Sequence, residues 1–147
     1  TVNDMNATQV SKYGSTHPGT PVRTEIILSD NPIKFAFLQK PDFFIIMSYL
    51  GFNRFSKSIV EKTKIFIDSD RVRDFNDNYQ GEYISLPATT IAKEMDNRLG
   101  ANIVMLGKFL KTSNIIPLKV VEEAIIQNTP DQFIEKNLEA IRKGYSI

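Results

Sequence analysis

The chain has 147 residues, of which 41% are hydrophobic and 24% are charged, and its formal net charge is +1. This length suits one domain with an apolar core, because a chain of this size buries roughly two-thirds of its unfolded surface. It contains no cysteine and one histidine. That composition excludes a thiolate nucleophile, disulfides, a cysteine-based zinc site and a cysteine-held iron–sulfur cluster.

The distribution of charged and apolar residues argues against two further classes of protein. Residues 31–75 carry eight basic and five acidic side chains, a smaller excess than nucleic-acid-binding domains usually show. No apolar run approaches the roughly 18 residues needed to cross a bilayer. We therefore expect neither a nucleic-acid partner nor a membrane span.

The first half of the chain alternates short apolar segments with segments rich in turn residues. Residues 5–10 suit a short strand, and residues 13–21 predict a loop rich in glycine, proline, serine and threonine. Apolar residues at spacings of three and four predict a helix near residues 51–63. Apolar and β-branched runs predict four more strands, at Arg23–Ser29, Phe43–Met47, Lys64–Asp68 and Glu82–Leu86.

Helical periodicity covers the chain from residue 91 onward. The first apolar stripe ends in Leu99, and Gly100 follows it at the position of a left-handed C-terminal cap. Residues 101–112 are apolar on almost every side and predict a buried helix. Pro117 is placed to begin the next helix, because proline suits the first helical turn.

The last helix has sequence signals at both ends. Thr129 is placed to cap its start, Phe133 is expected to face inward, and Gly144 is expected to end it. Strands followed by helices predict an α/β fold with three layers, a doubly wound and mostly parallel sheet, and a helical C-terminal part. No linker divides the chain, so we expect a single domain over residues 1–147.

Candidates for a chemical role are few. No glycine-rich phosphate loop, Walker sequence, nucleophile elbow or thiamine diphosphate motif is present. Asp68 ends a predicted buried strand and Asp70 follows it, and both are candidates for two-carboxylate chemistry, because ligands bind at the carboxyl ends of parallel strands. His17 is either an acid–base or anion-binding group or an exposed loop histidine. Asn102, near the start of the predicted buried helix, either faces a cofactor or partner, or caps the helix or hydrogen-bonds locally.

Several short sequences occur in a recognisable order over about residues 5–144. They are Tyr13-Gly14 with Gly19 five residues later, Asp30-x-Pro32-Ile33, Pro41-Asp42 before a hydrophobic strand, Lys64–Asp68, Leu86-Pro87-Ala88-Thr89 and Ala101–Gly107. In this order they resemble the gamma subunit of 2-oxoacid:ferredoxin (acceptor) oxidoreductases. The family loop typically reads Tyr-Gly-x-Glu-x-Arg-Gly, and here Thr16 and Pro18 stand in place of its two charged residues.

The resemblance implies a subunit of a cytoplasmic complex that oxidatively decarboxylates a 2-oxoacid with coenzyme A. It favours 2-oxoglutarate, which gives succinyl-CoA, CO2 and a reduced acceptor, over pyruvate. It implies alpha, beta and, where one exists, delta partner subunits, which carry thiamine diphosphate, magnesium and iron–sulfur clusters. Ferredoxin, flavodoxin or another acceptor is then reached through the complex.

For this chain the resemblance implies a structural role on the coenzyme A side, without catalysis and with no cofactor bound by the chain alone. Arg23 is close enough in sequence to supply a positive charge to the loop. Family members usually begin with a first strand and a glycine-rich loop, and we expect both to be absent from these residues. The loop residues expected near coenzyme A or a partner are Tyr13, Gly14, Ser15, Thr16 and Gly19.

Two alternatives stay open on the sequence alone. One is a stand-alone doubly wound enzyme that uses a nucleotide or flavin, which requires a phosphate-binding loop. The other is a pure assembly domain, which requires a large exposed apolar surface.

Overall fold

The computed structural model describes residues 5–12, 21–35, 38, 40–73, 75 and 79–147. Five strands and five helices are assigned within these residues. The strands are β1 (Asn6–Lys12), β2 (Arg23–Ser29), β3 (Phe43–Ile46), β4 (Lys64–Asp68) and β5 (Tyr83–Leu86). The helices are α1 (Tyr49–Phe55), α2 (Ala88–Glu94), α3 (Ala101–Ser113), α4 (Leu118–Asn128) and α5 (Asp131–Ser146), and a 3-10 turn, Ser56–Ser58, follows α1.

The strands form two separate sheets within the described residues. β1 and β2 are an antiparallel pair, in which Lys12 lies opposite Arg23 and Asn6 opposite Ser29. The other three strands form a parallel sheet in the order β3-β4-β5. The sequence predicts all five strands, whereas the pairing of the first two as an independent antiparallel sheet emerges only from the structure.

Both faces of the parallel sheet are covered, because its central strand β4 is apolar on both sides. Ile65 and Ile67 pack on one face against residues of α1 and the segment after β4. Phe66 points to the other face, where it meets the apolar side of α2 and α3. The expected α/β class, with a sheet between two layers and a helical C-terminal part, is confirmed.

Helices α3 and α5 cross with their backbones in contact. A Cβ atom at Gly144 would overlap the carbonyl oxygen of Val104, and one at Gly107 would overlap the carbonyl oxygen of Ile141. The contact is reciprocal, since each glycine meets a residue three positions before the other. Glycine at both positions is therefore required by proximity, as at other close helix crossings.

Three predicted helix ends are wrong, and each for a local physical reason. Gly144 does not end α5, which continues to Ser146 because the glycine serves the crossing. Gly100 has φ −81°, so the left-handed residue after α2 is instead Asp96, with φ 52°, a residue type that tolerates this region. Thr129 does not cap α5, whose N-cap position is Pro130.

The helix predicted near residues 51–63 is shorter than expected. α1 ends at Phe55, the 3-10 turn follows, and Ile59 is extended with φ −76° and ψ 130°. The hydroxyl of Thr63 then fixes the turn, because it accepts from the Val60 N–H and donates to the Pro41 carbonyl. Side-chain hydroxyls that bond to the backbone compete with helical hydrogen bonds in this way.

Tyr79 fastens the same turn from the other side. Its hydroxyl donates to the carbonyl oxygen of Thr63 and lies 3.1 Å from that of Val60. Burial, with a smaller contribution from the charge of Glu61, raises the pKa of Tyr79 above its ordinary value of 10.0. The phenol therefore keeps the proton that its hydrogen bond requires.

Among the helices of the described residues, none combines the length and apolarity that crossing a membrane demands.

The Gly144→Ala substitution tests the helix crossing. We expect it to lower the free energy of unfolding by about 1–3 kcal/mol or more, because the new methyl group meets backbone that cannot move independently. The matched control is Gly51→Ala in α1, where the added Cβ meets only the Ser48 hydroxyl at 2.9 Å. The control should change stability by less than about 1 kcal/mol. Equal effects in urea denaturation would contradict the crossing.

Candidate functional site

The loop with the sequence-predicted contact residues joins the two strands of the β1–β2 hairpin. Tyr13, Gly14, Ser15, Thr16 and Gly19 lie outside the described residues, as does His17. Their contacts with coenzyme A or a partner therefore stay predictions. The structure does describe the base of the loop, where the last residue of β1 pairs with Arg23.

A buried ion pair anchors this base. Arg23 Nε lies 3.0 Å from Glu25 Oε1, and the two side chains are only 14% and 2% exposed. The guanidinium also donates to Ser58 Oγ at 2.9 Å and lies 5.5 Å from the centre of the Phe55 ring. Glu25 Oε2 accepts from the Leu38 N–H at 3.3 Å. These contacts fasten β2 to the end of α1 and to the segment before β3.

The pairing changes what Arg23 can do for the loop. Its charge is balanced by the buried carboxylate of Glu25, so it is not a free cation for an anionic ligand. Arg54 lies on the same aromatic ring, 5.7 Å from the centre of Phe55, and is exposed. No ion pair within the described part of the chain involves Arg54, which makes it the better candidate for attracting an anion near the base of the loop.

A second polar cluster lies at the carboxyl end of β4. The Asp68 carboxylate is fully buried, and its Oδ2 accepts from the Thr89 hydroxyl at 2.6 Å. Its Oδ1 accepts from the Asp70 N–H at 3.2 Å and lies 3.4 Å from the Thr89 nitrogen. Arg71 Nε in turn donates to Thr89 Oγ1 at 3.3 Å. This network ties the end of the central strand to the first turn of α2.

The two-carboxylate hypothesis is not supported by this geometry. Asp68 has no exposed surface, so its oxygens are committed to neighbouring donors rather than to a substrate. Asp70 accepts from the Thr90 N–H at 2.6 Å and so also holds the start of α2. Both residues position the segment after β5, and neither is placed as a catalytic acid or base.

Sequence reasoning missed three members of these clusters: Glu25, Arg71 and Thr89. Glu25 could have been noticed as a single acid within a strand of β-branched and apolar residues, since a buried carboxylate needs a partner. Arg71 belongs to an irregular polar segment without periodicity. Its link to Thr89 depends on the adjacency of β4 and β5, which sequence alone does not specify.

The described surface includes two cavities that bear on these residues. One, of about 320 Å³, is lined by residues of β4, β5 and the segment after β4, including Ser69, Arg73 and Ser85. The other is a groove of about 490 Å³ between the α2–α3 connection and the start of α5. Asn102 lines this groove and is exposed, and the N-cap position of α3 is Gly100. Asn102 therefore does not cap the helix.

The available donors do not suit a metal centre in this part of the molecule. The sequence has no cysteine. Across the residues whose structure is described, no three His, Cys, Asp or Glu side chains gather in the way a metal site needs.

Comparison with known proteins identifies the family of this chain. The sequence model of the family named Pyruvate ferredoxin/flavodoxin oxidoreductase matches residues 2–147. The chain belongs to this family. Together with its relatives among oxidoreductase subunits, this match confirms the expected kinship with oxidoreductase gamma subunits, which belong to an enzyme class.

Curated relatives include subunits named for two substrates. The chain is 32% identical to the 2-oxoglutarate synthase subunit KorC of Methanocaldococcus jannaschii, over 98% of this chain and 78% of that protein. It is 26% identical to the pyruvate synthase subunit PorC of Thermotoga maritima, over 91% of this chain and 74% of that protein.

Solved structures share the fold at lower identity. The gamma subunit of a keto/oxoacid ferredoxin oxidoreductase from Geobacter sulfurreducens superposes with a TM-score of 0.80 at 22% identity, covering 97% of this chain and 79% of that one. The 2-oxoglutarate:ferredoxin oxidoreductase of Magnetococcus marinus, solved with 2-oxoglutarate, coenzyme A and succinyl-CoA, gives 0.76 at 17% identity, covering 97% and 25%.

The Thr89→Val substitution tests the Asp68 network. It keeps the shape of the side chain but removes the donor, so the buried carboxylate loses its shortest hydrogen bond. We expect the free energy of unfolding to fall by about 1–3 kcal/mol. Thr89→Ser keeps the hydroxyl and should lose less in the same denaturation experiment. Identical losses for the two variants would show that packing, not the hydrogen bond, matters at this position.

The Arg23→Met substitution tests the anchor of the loop. It leaves Glu25 buried without its guanidinium, so we expect the free energy of unfolding to fall by about 3 kcal/mol. The double variant Arg23→Met/Glu25→Met removes both charges and should recover most of that loss. If the double variant lost as much stability as the sum of the losses of Arg23→Met and Glu25→Met, the two side chains would not be a coupled pair.

A matched control is the ion pair of Lys64 with Glu82, in which Glu82 is 66% exposed. Glu82→Gln should change the free energy of unfolding by less than about 1 kcal/mol, because exposed pairs contribute little.

Proposed function

We propose that this chain is the gamma-type subunit of a cytoplasmic 2-oxoglutarate:ferredoxin or acceptor oxidoreductase. The complex would convert 2-oxoglutarate, coenzyme A and oxidised acceptor to succinyl-CoA, CO2 and reduced acceptor. The observation that carries the proposal is the 32% identity to a KorC subunit over 98% of the chain. The lower identity to a PorC subunit, 26%, favours 2-oxoglutarate over pyruvate.

The proposal assigns the redox chemistry to other subunits. Thiamine diphosphate, magnesium and iron–sulfur clusters would lie on the alpha, beta and, where one exists, delta chains, and would supply decarboxylation and electron transfer. The donor set of this chain supports that division, because it contains no cysteine that could hold a cluster. Ferredoxin, flavodoxin or another acceptor would be reached through those subunits.

The role of this chain would be structural, on the coenzyme A side of the complex. The loop residues Tyr13, Gly14, Ser15, Thr16 and Gly19 would contact coenzyme A or the neighbouring subunit. Support comes from the Tyr-Gly and Gly positions shared with the family loop, and from the buried ion pair of Arg23 with Glu25 in the strand that follows it. Coenzyme A is an anion, and Arg54 would supply the positive charge that paired Arg23 does not.

The subunit role is tested by reconstitution with its partners. The chain should be co-produced with alpha and beta subunits of a 2-oxoacid oxidoreductase, and reduction of a viologen dye should be followed with coenzyme A and either 2-oxoglutarate or pyruvate. We expect turnover to require this chain and to be faster with 2-oxoglutarate. Turnover by the chain alone would refute the proposal. Full activity of the partners without it would leave at most an assembly role.

The Tyr13→Ala substitution tests the loop within the reconstituted complex. We expect the KM for coenzyme A to rise about tenfold, with a smaller change in kcat, as for the loss of one contact made in both ground and transition states. Tyr83→Ala is the control, because Tyr83 is an exposed tyrosine of β5. A rise in KM for both variants, or for neither, would count against a coenzyme A contact at this loop.

A further inference from the structure

The groove between the α2–α3 connection and the start of α5 gathers apolar residues that the sequence pattern predicts to be buried. Leu99, the last residue of the predicted apolar stripe, is 89% exposed, and Phe133, predicted to face inward, is 46% exposed. Both line the same groove. Two exposed apolar side chains meeting at one place indicate a surface that becomes covered in the assembled protein.

Some polar groups around the groove already form hydrogen bonds or an ion pair within the chain, and others do not. Lys136 Nζ binds Asp96 through the Asp96 Oδ2 at 3.1 Å and its carbonyl at 2.9 Å, and Asn97 donates to the Lys136 carbonyl. These groups hold the α2–α3 connection against α5 and are neutral as a set. The groove is therefore built before any partner arrives.

Two groups remain for a ligand. Arg98 lines the groove and is exposed, and it takes part in no ion pair found among the described residues. The Asn102 amide is also exposed, and the hydrogen bonds of the described part of the chain leave it unused. Together with Leu99 and Phe133 they present an apolar centre, one amide and one positive charge.

We propose that this groove is the docking surface for a partner subunit of the same oxidoreductase, which inserts an apolar side chain beside Leu99 and Phe133 and places a carboxylate opposite Arg98. Charge complementarity selects this occupant. The lining of the groove carries two cations, Arg98 and Lys136, and one carboxylate, Asp96. A second copy meeting this patch about a two-fold axis would therefore bring two surfaces of net positive charge together.

The inference rests on the proposed subunit role, and its test separates the two. Binding of the purified chain to the partner subcomplex that lacks it should be measured for the wild type and for three single variants. Leu99→Asp should weaken the dissociation constant at least about tenfold, as expected for a buried apolar contact. Arg98→Glu should weaken it comparably, and its binding should depend less on salt.

The control is Ile126→Asp on α4, an equally apolar residue that is 51% exposed and does not line the groove. It should bind within about twofold of the wild type, since exposed positions outside an interface contribute little. Thermal unfolding of each isolated variant confirms that the fold is kept, because these side chains are exposed in the free chain. Hydrogen exchange should show new protection at residues 97–103 and 129–137 in the complex.

Each other outcome overturns part of the proposal in a recognisable way. If the wild type binds and Leu99→Asp binds equally well, the groove is not the interface, although the subunit role stands. If the isolated wild type forms a dimer that Leu99→Asp abolishes, the occupant is a second copy. If the wild type does not bind the partner subcomplex, the proposed function itself fails, and this inference with it.

Discussion

The close crossing of α3 and α5 is the constraint on which the helical layer depends. Gly107 and Gly144 allow the backbones of the two helices to touch, so the helices pack as one layer. That layer brings Val104 and Ala140 together with Phe66 of the central strand in one apolar core. A larger residue at either glycine would push the helices apart and expose this core.

A second constraint joins that layer to the sheet. β4 is buried on both faces, so its fully buried charged residue, Asp68, needs partners at the carboxyl end of the strand. Asp68 finds them in Thr89, at the first turn of α2, and in the backbone of Asp70. The cluster therefore sets where α2 begins. Its fully buried carboxylate is a connector between layers, which is why a candidate for catalysis turns out to be a structural residue.

Most elements follow from the sequence because their signals are local. Apolar, β-branched runs identify β4, and the apolar run from Ala101 identifies α3. Helix ends are harder, because glycine serves two purposes that look identical in sequence. Gly144 could supply either a left-handed cap or a close helix contact. Its position opposite Val104 in the structure shows that it supplies the contact. The burial of the Arg23–Glu25 pair cannot be predicted from local sequence, because it depends on contacts with Leu38 and Ser58 from distant segments.

The departures at Leu99 and Phe133 have another origin. Periodicity reports where apolar side chains are buried in the protein as it is used, which for a subunit includes its interfaces. Phe133 is informative in this sense, because its helix forms and its ring is still exposed, whereas Leu99 is exposed because α2 ends at Glu94. Leu99 lies on the α2–α3 connection and Phe133 in the first turn of α5, and the α3–α5 crossing fixes both helices. The contact that shapes the core thus also presents the surface through which the chain would join its partners.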